Sequence, residues 1–250
     1  MAYLDGRLYI IQGTSKSITV FGVETNCCSE IDDECFERLR DIVACCKMSM
    51  LYILDQSCIW QLDKNGNITQ YVPLYSRVSA TMSIRERNLL VTSSKTLIKY
   101  VYKFWKRSPA EIRLPEGMSL AKLWHAVEVD GGHVIAHTDN AQFHRVSKIE
   151  ASKRTGANVE VRAYVEEGVD RLSNPVYLAL EPKHGHIFVA DHENRRVVGL
   201  DRELKKVLMI SDLPQGRYPN YPNRLCYVEE RSELVIGMSD GLVIGYKFTR

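Results

Sequence analysis

Short apolar runs, broken by Gly, Pro, Asn and Asp, recur along the whole chain. Residues 172–201, LSNPVYLALEPKHGHIFVADHENRRVVGLD, show the pattern most clearly. Leu178 and Leu180 alternate with small or polar neighbours, the turn EPKHG follows, and Ile187, Phe188, Val189 and Ala190 form a β-rich run. The polar loop 191–196 then leads into Val197, Val198, Gly199 and Leu200. Such runs and punctuation predict three strands in succession. Residues 7–21 lie on 186–200 without a gap, with Tyr9 on Phe188, Ile10 on Val189 and Ile18 on Val197. Further copies occupy 50–62, 88–100, 132–146 and 233–246. Their lead residues, Leu8, Leu51, Leu89, His133, Ile187 and Leu234, are separated by 43, 38, 44, 54 and 47 residues. A period of roughly 40–50 residues with about four strands is that of a β-propeller blade. The predicted fold class is therefore all-β, a six-bladed β-propeller filling 1–250 as a single domain.

The residues of the clearest copy carry a family likeness. Pro175, Val189-Ala190-Asp191, Asn194, Arg196 and Val197 make it resemble an NHL repeat, the blade of the C-terminal propeller in tripartite-motif NHL proteins. The first, second and sixth copies match fairly; the third and fourth lack the Pro and the Ala-Asp pair. The resemblance implies the propeller fold and two uses for it, docking of protein partners or gripping of single-stranded RNA. A fold alone does not select between activities.

Several stretches refine this picture. Residues 4–7 read as a turn, which makes Leu8 to Ile11 the second strand of a blade with no clear strand before it. Residues 242–248 read as a third strand with no fourth. The first and last blades are thus expected to be incomplete, either through imperfect closure or because the chain belongs to a longer protein; five blades result if the end pieces share one. The acidic stretch 24–37 reads as the link to the second blade. KYVYKFWKRSPAEIR at 99–113 reads as one amphipathic outer strand with a solvated charged face, although basic residues among aromatics also suit single-stranded nucleic acid. The long step of 54 residues is accounted for by a lengthened hairpin loop within 147–164.

Composition adds limits. The 250 residues are 45% apolar and 26% charged, with a net charge of +2, an ordinary globular balance that does not select nucleic acid. No apolar run approaches the ~18 residues of a membrane span, so no membrane partner is expected. The first residues lack the basic start and apolar stretch of a signal peptide. Seven cysteines without a C-x-x-C argue against a zinc knuckle and fit reduced thiols in the cytoplasm. The sequon Asn67-Ile68-Thr69 would matter only after secretion.

Candidate chemistry is sparse. Gly237-Met238-Ser239-Asp240-Gly241 matches G-x-S-x-G, but a strand-like run follows and no histidine lies downstream, so it reads as a hairpin turn. His133 and His137 share a strand face, and His184, His186 and His192 crowd one repeat. A metal needs three or four converging ligands, and His184 and His186 read as solvated turn residues, so no metal or other cofactor is expected. Phosphate-cradling glycine loops are absent. The enzymatic alternative is a cation-dependent lactonase like the gluconolactonase and paraoxonase propellers, with Asp41, Asn174 and Asn223 as the oxygen ligands that a hard cation needs.

What remains is a surface. The links between blades and the loops after each second strand are expected to share one face. On it fall Arg40, Arg77, Lys122, Arg171, Arg195, Arg196 and Arg224, with Tyr75, Tyr177, Tyr218 and Tyr221 between them. Arginine and tyrosine dominate binding hot spots. The expectation is a non-enzymatic platform, a monomeric propeller within a larger protein or assembly, that binds a protein partner first and single-stranded RNA second.

Overall fold

A computed structural model describes residues 1–250 apart from 13–14, 75–79, 104–105, 153–155, 165–170, 215–218 and 249–250, and the backbone only for 102–103 and 106–108. Six antiparallel sheets follow one another along the chain, the architecture of a six-bladed β-propeller. The first blade holds β1 (Ala2–Leu4), β2 (Arg7–Ile11), β3 (Ser17–Gly22) and β4 (Cys28–Asp32). The second holds β5 (Asp41–Cys45), β6 (Met50–Leu54), β7 (Cys58–Asp63) and β8 (Ile68–Pro73). The third holds β9 (Thr81–Arg85), β10 (Asn88–Thr92), β11 (Leu97–Lys103) and β12 (Lys106–Glu111). The fourth holds β13 (Lys122–Val129), β14 (Gly132–Thr138), β15 (His144–Ala151) and β16 (Asn158–Tyr164). The fifth holds β17 (Pro175–Glu181), β18 (His186–Asp191), β19 (Arg196–Leu200) and β20 (Lys206–Ile210). The sixth holds β21 (Pro222–Val228), β22 (Glu233–Met238) and β23 (Val243–Lys247).

The six lead residues all fall at the second position of a second strand, β2, β6, β10, β14, β18 and β22. Four expectations need correction. The first blade has its first strand: Tyr3 pairs with Leu8, and the buried Ala2 and Leu4 hold the three-residue β1 in place. The acidic stretch 24–37 contains β4, the exposed fourth strand, as well as the link. Residues 99–113 hold two strands, since β11 ends at Lys103 and β12 begins at Lys106. The long step of the fourth blade comes from its strands, β15 and β16 having eight and seven residues against five each in β19 and β20, and not from a lengthened loop; the sixth blade shows three strands among the described residues. Residues 239–242 turn β22 into β23, with Gly241 at φ 92°, so G-x-S-x-G is a hairpin.

Contacts divide the chain into two units, Met1–Ser94 with Ile98–Ala110 and Lys95–Leu97 with Glu111–Arg250, each built around three of the sheets. Within each unit the core lies between successive sheets. In the first, Leu51 and Ile53 of β6 pack with Tyr9, Ile18, Phe36 and Ile42, whereas Tyr52 and Leu54 face Tyr71, Met82, Leu89 and Val91. In the second, Ile187 and Val189 of β18 pack with Val134, Ala136 and Val146, whereas Phe188 and Ala190 face Leu225, Leu234 and Ile236. Side chains alternate across a strand, so a strand buried on both faces must be apolar throughout. This is why the second strands stand out so plainly in the sequence.

Candidate functional site

In the second unit, one edge is knitted together by the links and the loops that follow the second strands. The Arg171 guanidinium donates to the Gln142 carbonyl (3.2 Å) in the fourth blade's loop, while Asn194 Nδ2 of the fifth blade's loop donates to the Arg171 carbonyl (2.7 Å). His192 and Glu193 donate their backbone N–H groups to Asn174 and Ser173 of the same link. The His192 ring stacks on Tyr221 at 4.7 Å, and Tyr221 exchanges hydrogen bonds with Ser239 of the sixth blade's loop.

An aspartate ending or following the second strand anchors this weave in two blades of the unit. Asp191 accepts from Ser173 N (2.6 Å), Asn194 Nδ2 (2.8 Å) and Arg196 Nε (2.6 Å). Burial pushes the Asp191 carboxyl up, while the Asn194 amide, the Ser173 N–H and the Arg196 guanidinium pull against it. Asp139 accepts from Phe143 N and pairs with Arg145 at 3.1 Å. In the first unit Asp55 does the same work, accepting from Ser57, Cys58 and Trp60 Nε1 (2.7 Å) and from Glu37 N of its link.

The predicted face residues separate by role. Arg196 is 7% exposed and lies inside the blade, tied to Asp191 and to the Arg171 carbonyl. Tyr177 is buried too, at 4% exposure. Cation–aromatic pairs account for the others in this unit. Lys122 Nζ lies 3.2 Å above the Trp124 ring, and desolvation pulls its pKa down. Arg171 covers Phe143 at 4.2 Å, Arg195 covers Tyr221 at 5.3 Å, and Arg224 covers Tyr177 at 5.1 Å. Each such contact contributes about 0.5–1 kcal/mol where exposed and keeps a cation aligned over a flat ring. Arg40 belongs to the first unit, where its backbone N–H bonds the Leu54 carbonyl. Arg77, Tyr75 and Tyr218 lie outside the described residues.

Register explains how Tyr177 and Arg224 meet, together with His125, which sequence reasoning did not single out. The first strands of the fourth, fifth and sixth blades each skip one residue, between Leu123 and His125, Pro175 and Tyr177, and Pro222 and Arg224. A bulge re-aims the side chain beside it. His125, Tyr177 and Arg224 thereby occupy matching positions and touch in sequence, His125 on Tyr177 at 3.9 Å and Tyr177 under Arg224. His125 Nδ1 also accepts from Leu178 N, a blade-to-blade link repeated in the first unit, where Asp41 accepts from Met82 N (2.7 Å). Of the three residues considered for a hard cation, Asp41 and Asn223 have engaged oxygens, whereas Asn174 Oδ1 is buried without a hydrogen-bond partner among the described residues. Asp41 holds the Ile42 and Met82 N–H groups, and the Arg224 guanidinium bonds both oxygens of Asn223.

Sequence reasoning missed a second place on the same unit. A cavity of about 560 Å³ opens between the fifth and sixth blades, lined by Phe188, Leu208, Tyr227 and Phe248 and by Glu181, His184 and His186. Glu181 ends β17, His186 begins β18, and the hairpin turn folds the two histidines back over the carboxylate. Glu181 Oε2 lies 3.2 Å from His184 Nδ1 and 3.6 Å from His186 Nδ1. The two rings stack at 5.7 Å. The spacing E-x-x-H-x-H across a turn was the available signal; treating the histidines as solvated left out the carboxylate at the end of the preceding strand.

No protein-family model matches the chain, and none of the curated proteins is similar to it in sequence. Solved structures do share its fold. A Kuenenia stuttgartiensis hydrazine synthase matches with a TM-score of 0.66 at 14% identity, over 98% of this chain and 93% of that one. An auxiliary nutrient binding protein from Bacteroides thetaiotaomicron matches with 0.65 at 16%, over 96% and 65%. The Myceliophteria thermophila Cps50 (Swd1) β-propeller domain matches with 0.60 at 9%, over 98% and 94%. At these identities the likeness shows the β-propeller fold alone.

Proposed function

We propose that this chain is a non-catalytic binding platform and that the loop edge of its fourth to sixth blades docks an acidic segment of a protein partner. The observation that carries the reading is the set of cation–aromatic pairs Arg171–Phe143 and Arg195–Tyr221, on loops and links hydrogen-bonded to one another, and Lys122–Trp124 at the start of β13. The carboxylates Asp139 and Asp191 of those loops are spent on Arg145 and Arg196. Phe143 is 41% exposed and supplies apolar area beside its arginine. A rigid aromatic held under a guanidinium is the chemistry of a hot spot for carboxylate-bearing peptides. The NHL-like residues of the fifth blade agree with a partner-docking role. A fold shared by a nutrient binding protein and a hydrazine synthase is itself neutral.

The test is a selection from a displayed random-peptide library on the intact chain, with counter-selection on the triple variant Lys122→Ala, Arg171→Ala, Arg195→Ala. Enriched acidic peptides should bind the wild type at least about tenfold better than the triple variant, a loss of about 1.4 kcal/mol. Failure to enrich any peptide that discriminates the two proteins overturns the reading. Binding of a ten-nucleotide single-stranded RNA that collapses steeply with salt, lost in the triple variant, would assign the edge to RNA instead.

A further inference from the structure

We propose that Glu181, His184 and His186 form a binding site for a divalent transition metal of the zinc class, with an open coordination position towards the adjoining cavity. The site is independent of the docking edge and stands or falls separately.

The donor set selects the metal. Two imidazoles and one carboxylate suit zinc and its first-row neighbours, whereas calcium and magnesium require oxygen donors in number. Spacing agrees. The three donor atoms lie within 4.8 Å of one another. Bonds of about 2.0–2.1 Å in a tetrahedral shell put neighbouring donors roughly 3.3 Å apart. The separations of 3.2 and 3.6 Å from Glu181 Oε2 to the two Nδ1 atoms bracket that edge length.

The ligands are also held in advance. Glu181 is 3% exposed, and its two oxygens accept from Lys183 N (2.9 Å) and His184 N (2.8 Å), so the carboxylate cannot swing away. Arg202 Nε donates to the His184 carbonyl (2.6 Å) and its terminal nitrogen to the Lys183 carbonyl (3.3 Å), which pins the turn from outside. Gly185, at φ 75°, makes the reversal between the two histidines. Outer hydrogen bonds of this kind orient metal ligands. Among the described residues the cluster holds three protein donors, one short of a closed shell, and all three line the cavity beside Phe188, Tyr227 and Phe248. Three protein ligands with one open position distinguish a ligand-binding or reactive zinc site from a structural one. The exchangeable position would take water or a Lewis-basic head group, with the aromatic wall accepting an apolar remainder.

Titration of the chelator-treated, desalted full chain with zinc by calorimetry, and with cobalt by visible absorption, tests the assignment. The expected result is one ion per chain, with cobalt bands typical of four- or five-coordinate nitrogen and oxygen ligation. His184→Ala with His186→Ala should weaken zinc by well over the roughly 10–100-fold that loss of a mere outer partner causes. His192→Gln, a histidine elsewhere on the same blade, should leave it unchanged. Glu181→Gln should also weaken binding, and circular dichroism distinguishes this from loss of the turn; the double histidine variant carries the test if Glu181→Gln unfolds. The absence of saturable binding, or equal affinity in the double variant, overturns the proposal.

Discussion

Arg196 and Arg195 are neighbours in the chain with opposite fates. In a strand-to-loop transition the next residue points the other way, and Arg195 takes φ 52°, which turns its guanidinium out over Tyr221 while Arg196 runs inward to Asp191. Removing one partner of such a buried ion pair strands the other charge. Arg196→Ala is therefore expected to lower stability by about 3–5 kcal/mol in urea unfolding, and Arg195→Ala by less than about 1 kcal/mol. A second buried group sets an acid limit. Burial pulls the His137 imidazole below 6.5, against the raising influence of Glu160, with Arg145 adding to the fall. The folded chain thus keeps His137 neutral where the unfolded chain protonates it. Stability is lost as pH falls below about 6.5 and levels off once the folded pKa is passed. The melting temperature should drop between pH 7 and 5, and His137→Gln should flatten that slope. Charge and residue type were legible from sequence, but which of two adjacent arginines faces solvent depends on a loop backbone that no period encodes.

At the level of elements, legibility followed burial. The second strands are apolar on both sides, as in the IFVAD of β18, and could be read directly. The fourth strands could not: β4, CSEID, has no fully buried residue, and β20 alternates weakly, with Val207 and Met209 exposed. The short β1 escaped notice because three residues make too little pattern. The two strands within 99–113 were merged since the charged and aromatic alternation of β11 runs on through Phe104 and Trp105 to Lys106, with no Gly, Pro, Asn or Asp between to mark a turn. Elements also impose constraints that sequence hides. A Cβ on Gly132 would lie 2.1 Å from the Ile149 carbonyl oxygen on the paired strand β15. Backbone cannot yield as a flexible side chain can, so Gly132→Ala should cost about 1–3 kcal/mol or more. Hydrogen exchange should show the loss concentrated in β14 and β15. By contrast, the site at Glu181 depends on a hairpin closing, so its members, though no more than five residues apart, come from the end of one strand, the turn and the start of the next.

Across the whole molecule, the repeat was visible because each blade solves the same problem with the same parts. The source of the uneven steps was misplaced: the excess of the fourth blade lies in β15 and β16, of eight and seven residues against five each in β19 and β20, while the connections 152–157 and 201–205 are nearly equal in length. Function was less visible, since loops, where binding residues concentrate in proteins generally, vary more than the elements they connect. The cores between sheets have a further consequence. Within each unit, the two sides of the central blade's second strand are not finished on their own; each is half of a seam whose other half belongs to a neighbouring copy. Trimming a strand would lay a seam open to water, whereas lengthening a hairpin touches none. Gain or loss by whole copies, together with free variation in the corners, is the route by which such a chain can acquire new specificity without having to invent a new interior.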